Sequence, residues 1–367
     1  MNFAKLHEDV CFNRSGGKVI WQPRITCWIK DKLFDDGELP GIYKGMSKPE
    51  LYRELGCSAR IYEYNCCFYP VYDDTIRISN HEDGDRFITT IETPVGTVTN
   101  ITERRSSSWA HLVKKEWVCN ENDLKTYTYI EKHTDWAYSQ ENFEKIHAEW
   151  GDLGAPCVFM PRVNLQRLYI DLMGVEQTVY ALADYPETVE QYFEALHDSQ
   201  MKLIDVINAS PIQIINFGDN VHSGTLSPAL FEKYVLPEYK IRCEKLHQAG
   251  KFVHAHFDGD NRGLMEYYQQ TGLDGIEAIT PIPQGDVTLE EVHKYLGDNM
   301  FLIDGIPAVY FDREFSEEVL VDCVYKILRL FAPGLILGIS DEISSSGDIE
   351  RVRLVGKIVE EYNRQFE

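Results

Sequence analysis

The sequence predicts an α/β fold, a single (β/α)8 barrel that spans residues 1–367 as one domain. Short apolar segments that end in polar residues recur along the chain, and amphipathic helical segments separate them. This alternation is typical of parallel strands joined by crossover helices, and eight such strands close into a barrel. The predicted strands are residues 19–28, 60–70, 156–163, 212–216, 252–257, 275–279, 300–303 and 335–339.

Helix start and stop signals lie between these strands. Ser227 and Pro228 are a favourable helix start, and Gly250 is a favourable stop. The predicted helices, which would form the outer layer of the barrel, are residues 165–182, 187–208, 227–249 and 316–332.

Residues 71–110 break the alternation of strands and helices. Segments 75–79, 86–93 and 96–102 alternate Thr, Ile and Val with polar residues around two turns, which predicts a small antiparallel meander. It would be an insertion between strands 2 and 3, near the barrel mouth. Such an insertion either covers the core or shapes a substrate entrance.

Composition excludes several classes of protein. With 44% hydrophobic and 26% charged residues the chain is typical of globular proteins, and its net charge of −23 would repel nucleic acid and anionic lipid. The sequence has no run of 18 apolar residues and no N-terminal apolar signal segment, so we expect a cytoplasmic protein without a membrane partner.

Active sites of (β/α)8 barrels lie at the carboxyl ends of the strands, so polar residues at those ends are the first candidates. Asp219, Asp304 and Glu342 follow or end predicted strands and are candidate catalytic acids. Asn220 and His222 follow the same strand as Asp219 and are candidate substrate contacts.

A second group of residues suggests a metal site. His254 and His256 are two apart on one strand and therefore point to the same face, while Glu277 is a lone charge in the next apolar strand. One cation would satisfy all three side chains, and this ligand set suits Zn²⁺, with Ser340 or Asp341 as a further ligand. The alternative is a metal-free hydrogen-bonded cluster of the same residues.

Aromatic residues concentrate on the first two predicted strands. Trp21, Trp28 and Tyr64 could stack on a flat substrate, with Arg24 as a polar contact beside them. The alternative is that these rings pack the core and its rim.

The segment SPALFEKYVLPEYK, followed by GKFVHAH, resembles the uroporphyrinogen decarboxylase superfamily. The resemblance implies a single (β/α)8 barrel, and either a decarboxylase or a cobalamin-linked methyltransferase that acts on methanol, methylamines or methoxylated aromatics. Decarboxylases of this superfamily are expected to carry an RQAGR-type motif that binds substrate carboxylates. This chain instead reads WQPRITCW at residues 21–28 and keeps one arginine, Arg24.

The methyltransferase branch implies a zinc site made by an H-x-C pair, a glutamate and a cysteine. His254 and Glu277 match this pattern, His256 replaces the first cysteine, and Ser340 or Asp341 replaces the second. Without the two thiolates, the ligand set is harder and suits an oxygen ligand better than a thiol.

The resemblance, together with this ligand set, implies a methyltransferase that demethylates a methoxylated small molecule, with an aromatic one expected. It would pass the methyl group to the Co(I) corrinoid of a separate carrier protein, which binds transiently, with a metal as Lewis acid. Two alternatives stay open besides another donor such as methanol or a methylamine. A porphyrinogen-type decarboxylase is favoured if Arg24, Arg162 and Arg167 converge on the pocket. A non-catalytic binding barrel is favoured if His254, His256 and Glu277 are separated or fully satisfied by protein groups.

Overall fold

The structure is a computed structural model that describes residues 2–367. Its strands, in chain order, are β1 (Ile20–Trp21), β2 (Phe68–Tyr72), β3 (Arg77–Asp83), β4 (Arg86–Thr93), β5 (Gly96–Arg104), β6 (His111–Lys115), β7 (Thr134–Tyr138), β8 (Cys157–Met160), β9 (Ile214–Phe217), β10 (Phe252–His256), β11 (Gly275–Glu277), β12 (Phe301–Pro307) and β13 (Leu335–Ser340).

Helices separate most of these strands. They are α1 (Phe3–Cys11), α2 (Thr26–Asp35), α3 (Lys48–Leu55), α4 (Glu121–Lys132), α5 (Gln140–Trp150), α6 (Asn164–Gln166), α7 (Val175–Asp184), α8 (Pro186–Asn208), α9 (Pro228–Leu230), α10 (Leu236–Gln248), α11 (Leu289–Leu296), α12 (Glu317–Phe331) and α13 (Ile349–Arg364). Short π-helical segments, Arg167–Leu172 and Phe231–Val235, continue α6 and α9.

The chain divides into two compact units. The first consists of Met1–Cys67, Gln140–Met160 and Ile212–Glu367, and the second of Phe68–Ser139 and Pro161–Pro211. The prediction of one domain over residues 1–367 stays a prediction.

The first unit contains the predicted (β/α)8 barrel, which confirms the fold class. Its seven-stranded parallel sheet has the order β1-β13-β12-β11-β10-β9-β8. An irregular segment fills the eighth position, because Ser58 N donates to Trp21 O of β1 and Ala59 N donates to Leu153 O just before β8. These two hydrogen bonds extend the backbone ladder from the edge strand β1 towards the other edge strand, β8.

Two predicted strands differ from the structure. The first was expected at residues 19–28 but β1 covers only Ile20–Trp21, because Pro23 has no N–H for the ladder and α2 begins at Thr26. The second was expected at residues 60–70, where the structure has a 3-10 helix, Tyr62–Cys67. The strand that follows, β2, pairs antiparallel with β7 in the second unit and does not join the parallel sheet. Tertiary context thus outweighed the strand propensity of the aromatic residues in Tyr62–Cys67.

The second unit is antiparallel. The predicted meander is confirmed as a four-stranded sheet with the order β3-β4-β5-β6, which includes β6, a strand that the sequence analysis did not predict. Every residue of β6 is exposed, so it lacks the alternation of buried and exposed residues that predicts a strand. The position of the meander near the barrel mouth stays a prediction.

The beginnings of the barrel strands form the main apolar core of the first unit. Ile20, Cys157, Ile214, Phe252 and Phe301 each lie at or next to the start of a strand and are buried together. Helix α1 covers this end with its own buried face, so the amino ends of the strands are closed by apolar packing. Among residues 2–367, no helix is both long enough and apolar enough to cross a lipid bilayer.

Candidate active site

The carboxyl ends of β10 and β11 bring two histidines to one glutamate. In the parallel register, His256 is opposite Glu277, and His254 is opposite Gly275. Both imidazoles are 4% exposed, and their Nδ1 atoms each lie 3.0 Å from a different oxygen of the Glu277 carboxylate. The strand alternation that places both histidines on one face therefore directs them to a single carboxylate.

Two arginines neutralise the Glu277 carboxylate. Arg60 Nη1 lies 2.8 Å from Oε1 and Arg24 Nη1 lies 3.3 Å from the same oxygen, while Asn216 Nδ2 donates to Oε2. Burial acts to raise the pKa of Glu277, but the charge of Arg60 and the contacts of both histidines hold this pKa well below its usual value. Glu277 is therefore an ionised hub of the site.

Arg60 also forms a buried pair with Asp304. Its Nη2 lies 2.8 Å from Asp304 Oδ1, and its Nε donates to Gln22 Oε1 over 3.2 Å. The next strand leaves room for this carboxylate because it has a glycine there: a Cβ at Gly338 would lie 2.1 Å from Asp304 Oδ1. Burial raises the pKa of Asp304, and the nearby Glu277 carboxylate adds to this against the charge of Arg60.

Arg24 connects the glutamate to the end of β13. Its Nη1 lies 2.8 Å from Asp341 Oδ1 and 3.1 Å from His256 Nδ1, and its Nε lies 3.6 Å from Glu342 Oε1. Glu342 also accepts a hydrogen bond from the backbone N–H of Cys27. The side chain of Arg24 is 10% exposed, so its charge is held among protein carboxylates.

Three residues of this site could hold a metal ion. One ligand atom each from His256, Asp258 and Asp341 lie within 4.8 Å of one another. His256 Nε2 is 3.9 Å from both Asp258 Oδ2 and Asp341 Oδ1. Asp258 Oδ1 is buried, and within residues 2–367 no donor is bonded to it, which fits a cation at this position. The nitrogen and oxygen donors are those that zinc accepts in proteins.

This group differs in part from the predicted ligands. His256 and Asp341 belong to both sets, whereas Asp258 was not predicted, although it lies two residues beyond His256 at the same strand end. His254 and Glu277 do not belong to this group. Glu277 contacts His256 of the group, and His254 contacts Glu277. Ser340 Oγ accepts a hydrogen bond from Gly305 N and so links β13 to β12.

The remaining polar candidates lie around β9. Asp219 is fully buried and accepts a 2.6 Å hydrogen bond from the hydroxyl of Tyr239. Asn220 Nδ2 donates to Asp258 Oδ2 over 3.3 Å, which brings it to the metal-ligating group. His222 Nε2 lies 3.2 Å from the hydroxyl of Thr225, within its own loop.

The three predicted aromatic contacts have packing environments. Trp21 stacks on Phe311 and donates from Nε1 to Val352 O of α13. Tyr64 packs on Phe143 of α5. Trp28 is 2% exposed, with its ring beneath Lys32 of the same helix. These contacts favour the alternative reading, in which the rings pack the core, and a role in substrate binding stays a prediction.

Arg60 is the main site residue that the sequence analysis missed. A signal was present, because an arginine at the start of an apolar, aromatic segment must find a carboxylate when that segment is buried. Arg162 and Arg167, which a decarboxylase would direct at substrate, both pair with Asp171 at 2.8 Å inside the second unit.

The fold and the site define a class first: a (β/α)8 barrel with buried charged residues gathered at the carboxyl ends of its strands. Residues 167–362, more than half of the chain, match the uroporphyrinogen decarboxylase (URO-D) family. The chain therefore belongs to this family.

One solved structure supports the fold. A methyltransferase from Methanosarcina mazei aligns over 98% of this chain and 99% of its own, with a TM-score of 0.60 and 12% identity. A β-glucosidase from Pyrococcus furiosus aligns over 95% of both chains with 13% identity, at a TM-score of only 0.35. No curated protein matches the chain.

Proposed function

We propose that this chain is a methyltransferase of the URO-D family. It removes the methyl group from a methoxylated aromatic molecule and transfers it to the Co(I) corrinoid of a separate carrier protein. Support comes from the family membership, from the buried His–Glu–Arg cluster and from the adjacent group of His256, Asp258 and Asp341.

The observation that carries the proposal is the neutralisation of Arg24 and Arg60 by the protein's own carboxylates. Arg24 pairs with Asp341 and Glu277, and Arg60 pairs with Glu277 and Asp304. A decarboxylase that binds a substrate with several carboxylates needs free guanidinium groups, and here such a substrate would meet a surplus of negative charge. A neutral methyl ether meets no such repulsion.

The reaction requires a nucleophile and a stabilised leaving oxygen. Co(I) of the carrier attacks the methyl carbon, the C–O bond breaks, and its electron pair stays on the oxygen, while the cobalt becomes methyl-Co(III). A zinc ion held by His256, Asp258 and Asp341 would supply Lewis acidity towards that oxygen. Glu277 and Arg24 keep the His256 ring oriented, and Arg24 also pairs with Asp341.

A proton is then needed on the departing oxygen. Asp219 and Asp304 are fully buried and bonded to Tyr239 and Arg60, respectively. Glu342 instead lines a cavity beside Arg24, which supports it, among the predicted acids, as the proton donor in this proposal.

The proposal is tested by the product on cobalt. The purified protein is incubated with reduced corrinoid protein and a panel of donors that includes methoxylated phenols, methanol and methylamines. We expect the absorbance of methyl-Co(III) to appear only with methoxylated aromatics. A panel in which every donor leaves Co(I) unmethylated would refute the proposal, and elemental analysis of the same sample tests the metal.

A further inference from the structure

The antiparallel sheet of the second unit has two free edges, at β3 and at β6. Strand β3 pairs with β4 on one side only, and all seven of its residues are exposed. It contains no proline and no lysine, and its pairing with β4 has no bulge. Proline, lysine and bulges are devices with which proteins protect free edges, so the outer edge of β3 can accept another strand.

The turn between β3 and β4 decides which backbone groups of β3 point outward. Asp83 is opposite Arg86 and only two residues connect them, so these two form the hydrogen-bonded pair that closes the hairpin. Such pairs alternate along an antiparallel ladder. Three residues of β3 therefore direct their N–H and C=O groups away from β4: Ile78, Asn80 and Glu82.

A side-chain contact agrees with this alternation. Thr89 of β4 is opposite Asn80, and its hydroxyl donates to Asn80 Oδ1 over 2.9 Å. Side chains approach most closely in pairs that lack backbone hydrogen bonds, which is the kind of pair expected at this position. The backbone N–H and C=O of Asn80 are thus on the free edge.

We propose that β3 pairs antiparallel with β3 of a second copy of this chain, about a two-fold axis at Asn80, and joins the two four-stranded sheets into one. In this register the outward-pointing residues of the two copies face each other, and about six N–H···O bonds form between them. Because the residues outside these pairs then have their side chains closest together, the ends of the strand decide which partner fits.

The charges at the two ends of β3 are self-complementary. Arg77 begins the strand and Asp83 ends it, so the two-fold axis sets each of them opposite the other residue of the second copy. Both are exposed, and neither has an ion-pair partner among residues 2–367. Opposite charges directly across an antiparallel pair are stabilising, and this interface would contain two such pairs.

The other free edge, β6, does not fit in this way. It contains Lys114 and Lys115 and no acidic residue, so a second copy of β6 offers these lysines no carboxylate. Antiparallel pairing of β3 with β6 would set the lysines at the Arg77 end of β3, where charges repel. The contact between two β3 strands is therefore a closed dimer that leaves β6 free and does not grow.

Sedimentation velocity of the whole chain tests the dimer over a concentration range of about 1 μM to 1 mM. We expect the mass to rise with concentration from 42.4 kDa to twice that value and to stop there. A chain that stays monomeric up to about 1 mM overturns the proposal. Growth beyond the dimer overturns the two-fold arrangement, because it requires a head-to-tail contact.

The variant Asn80→Pro removes the N–H at the two-fold axis. That N–H points away from β4, where proline is tolerated, so we expect the sheet to be kept and the Kd of the dimer to rise by about 10-fold or more. Asn80→Ala keeps the N–H and is the matched control, with a Kd within about 2-fold of the unsubstituted protein. Circular dichroism checks the folding of both. A dimer that persists unchanged in the folded proline variant assigns dimerisation to another surface and overturns the proposal.

A charge exchange tests the register independently of the backbone. Arg77→Asp sets two carboxylates opposite each other at both ends of the interface, and we expect the Kd to rise by about 4-fold or more. Adding Asp83→Arg restores both pairs with reversed sign and should return the Kd to within about 2-fold of its original value, which an unfolded hairpin would not do.

Arg105→Asp makes the same charge change at an exposed residue of the second unit outside β3, and should leave the Kd unchanged. An equal rise of the Kd in Arg105→Asp would show a general charge effect and overturn the assignment to β3. A double variant that remains as weak as Arg77→Asp would overturn the register about Asn80.

Discussion

The two ends of the barrel strands have opposite chemistry. At their amino ends, Ile214, Phe252 and Ile336 belong to an apolar cluster closed by helix α1. At their carboxyl ends, the guanidinium groups of Arg24 and Arg60 lie against carboxylates, of which those of Glu277 and Asp304 are buried. The apolar end gains free energy simply by excluding water, whereas the charged end is stable only while every ion has its partner. Stability and the candidate chemistry are therefore separated along the barrel axis.

The largest loss of stability should come from removing an ion-pair partner at the charged end. Arg60→Met leaves Glu277 and Asp304 buried without their main counter-ion, so we expect the free energy of unfolding to fall by about 3–5 kcal/mol at neutral pH. Urea denaturation measures it. Arg53→Met removes an arginine whose pair with Asp152 is exposed, and should cost less than about 1 kcal/mol. Similar losses in the two variants would contradict the contrast between the ends.

A cavity at the apolar end should lower the free energy of unfolding by about as much, but it should leave metal binding unchanged. Ile214→Ala removes buried methyl and methylene groups from the cluster, and we expect the free energy of unfolding to fall by about 2–5 kcal/mol. Zinc affinity of the folded fraction should equal that of the unsubstituted protein. A loss of zinc affinity in this variant would show that the two ends are coupled rather than separate.

His256→Ala should affect function more than stability. It removes a metal ligand, and we expect zinc affinity and methyl transfer to fall by at least about 10- to 100-fold. The free energy of unfolding should fall by only about 1–3 kcal/mol, because Glu277 loses one of its several partners. Equilibrium dialysis against zinc and cobalt absorbance measure the two losses. His247→Ala, on the outer face of α10 and paired with Asp274, is the control and should change neither.

The effect that is smallest near neutral pH is a pH dependence of stability that originates at His7. His7 of α1 is buried next to Gln22, and burial, followed by the charge of Arg60, lowers its pKa to about 3. The unfolded chain takes up this proton near pH 6.5 and the folded chain does not, so stability falls as the pH decreases from about 6.5 towards 3.

This contribution amounts to at most about 1.4 kcal/mol per pH unit. His7→Gln should remove it, so that the difference in free energy of unfolding between the two proteins changes with pH over that window. Urea titrations at several pH values measure the difference. Parallel curves would mean that His7 does not remain neutral in the folded chain.

The sequence was most informative where a local pattern had one physical meaning. The spacing of His254 and His256 puts both on one face of a strand, and the structure brings both to Glu277. It was least informative where partners are distant in the chain. Arg60 lies 217 residues from Glu277 and 244 from Asp304, and no local period relates such positions. Asp258 gave a weak signal, because a carboxylate after a strand is common in loops.

The sequence by itself determined the alternation of parallel strands and helices, because hydrophobic periodicity is a local property that burial enforces. Tertiary structure decided which charges neutralise one another. Sequence reasoning assigned the cation beside Glu277 to a metal, whereas the fold places Arg24 and Arg60 there and leaves His256, Asp258 and Asp341 as the group that could hold an ion. Ion pairing depends on distance in space, and only the closed barrel brings these strand ends within a few ångströms of one another.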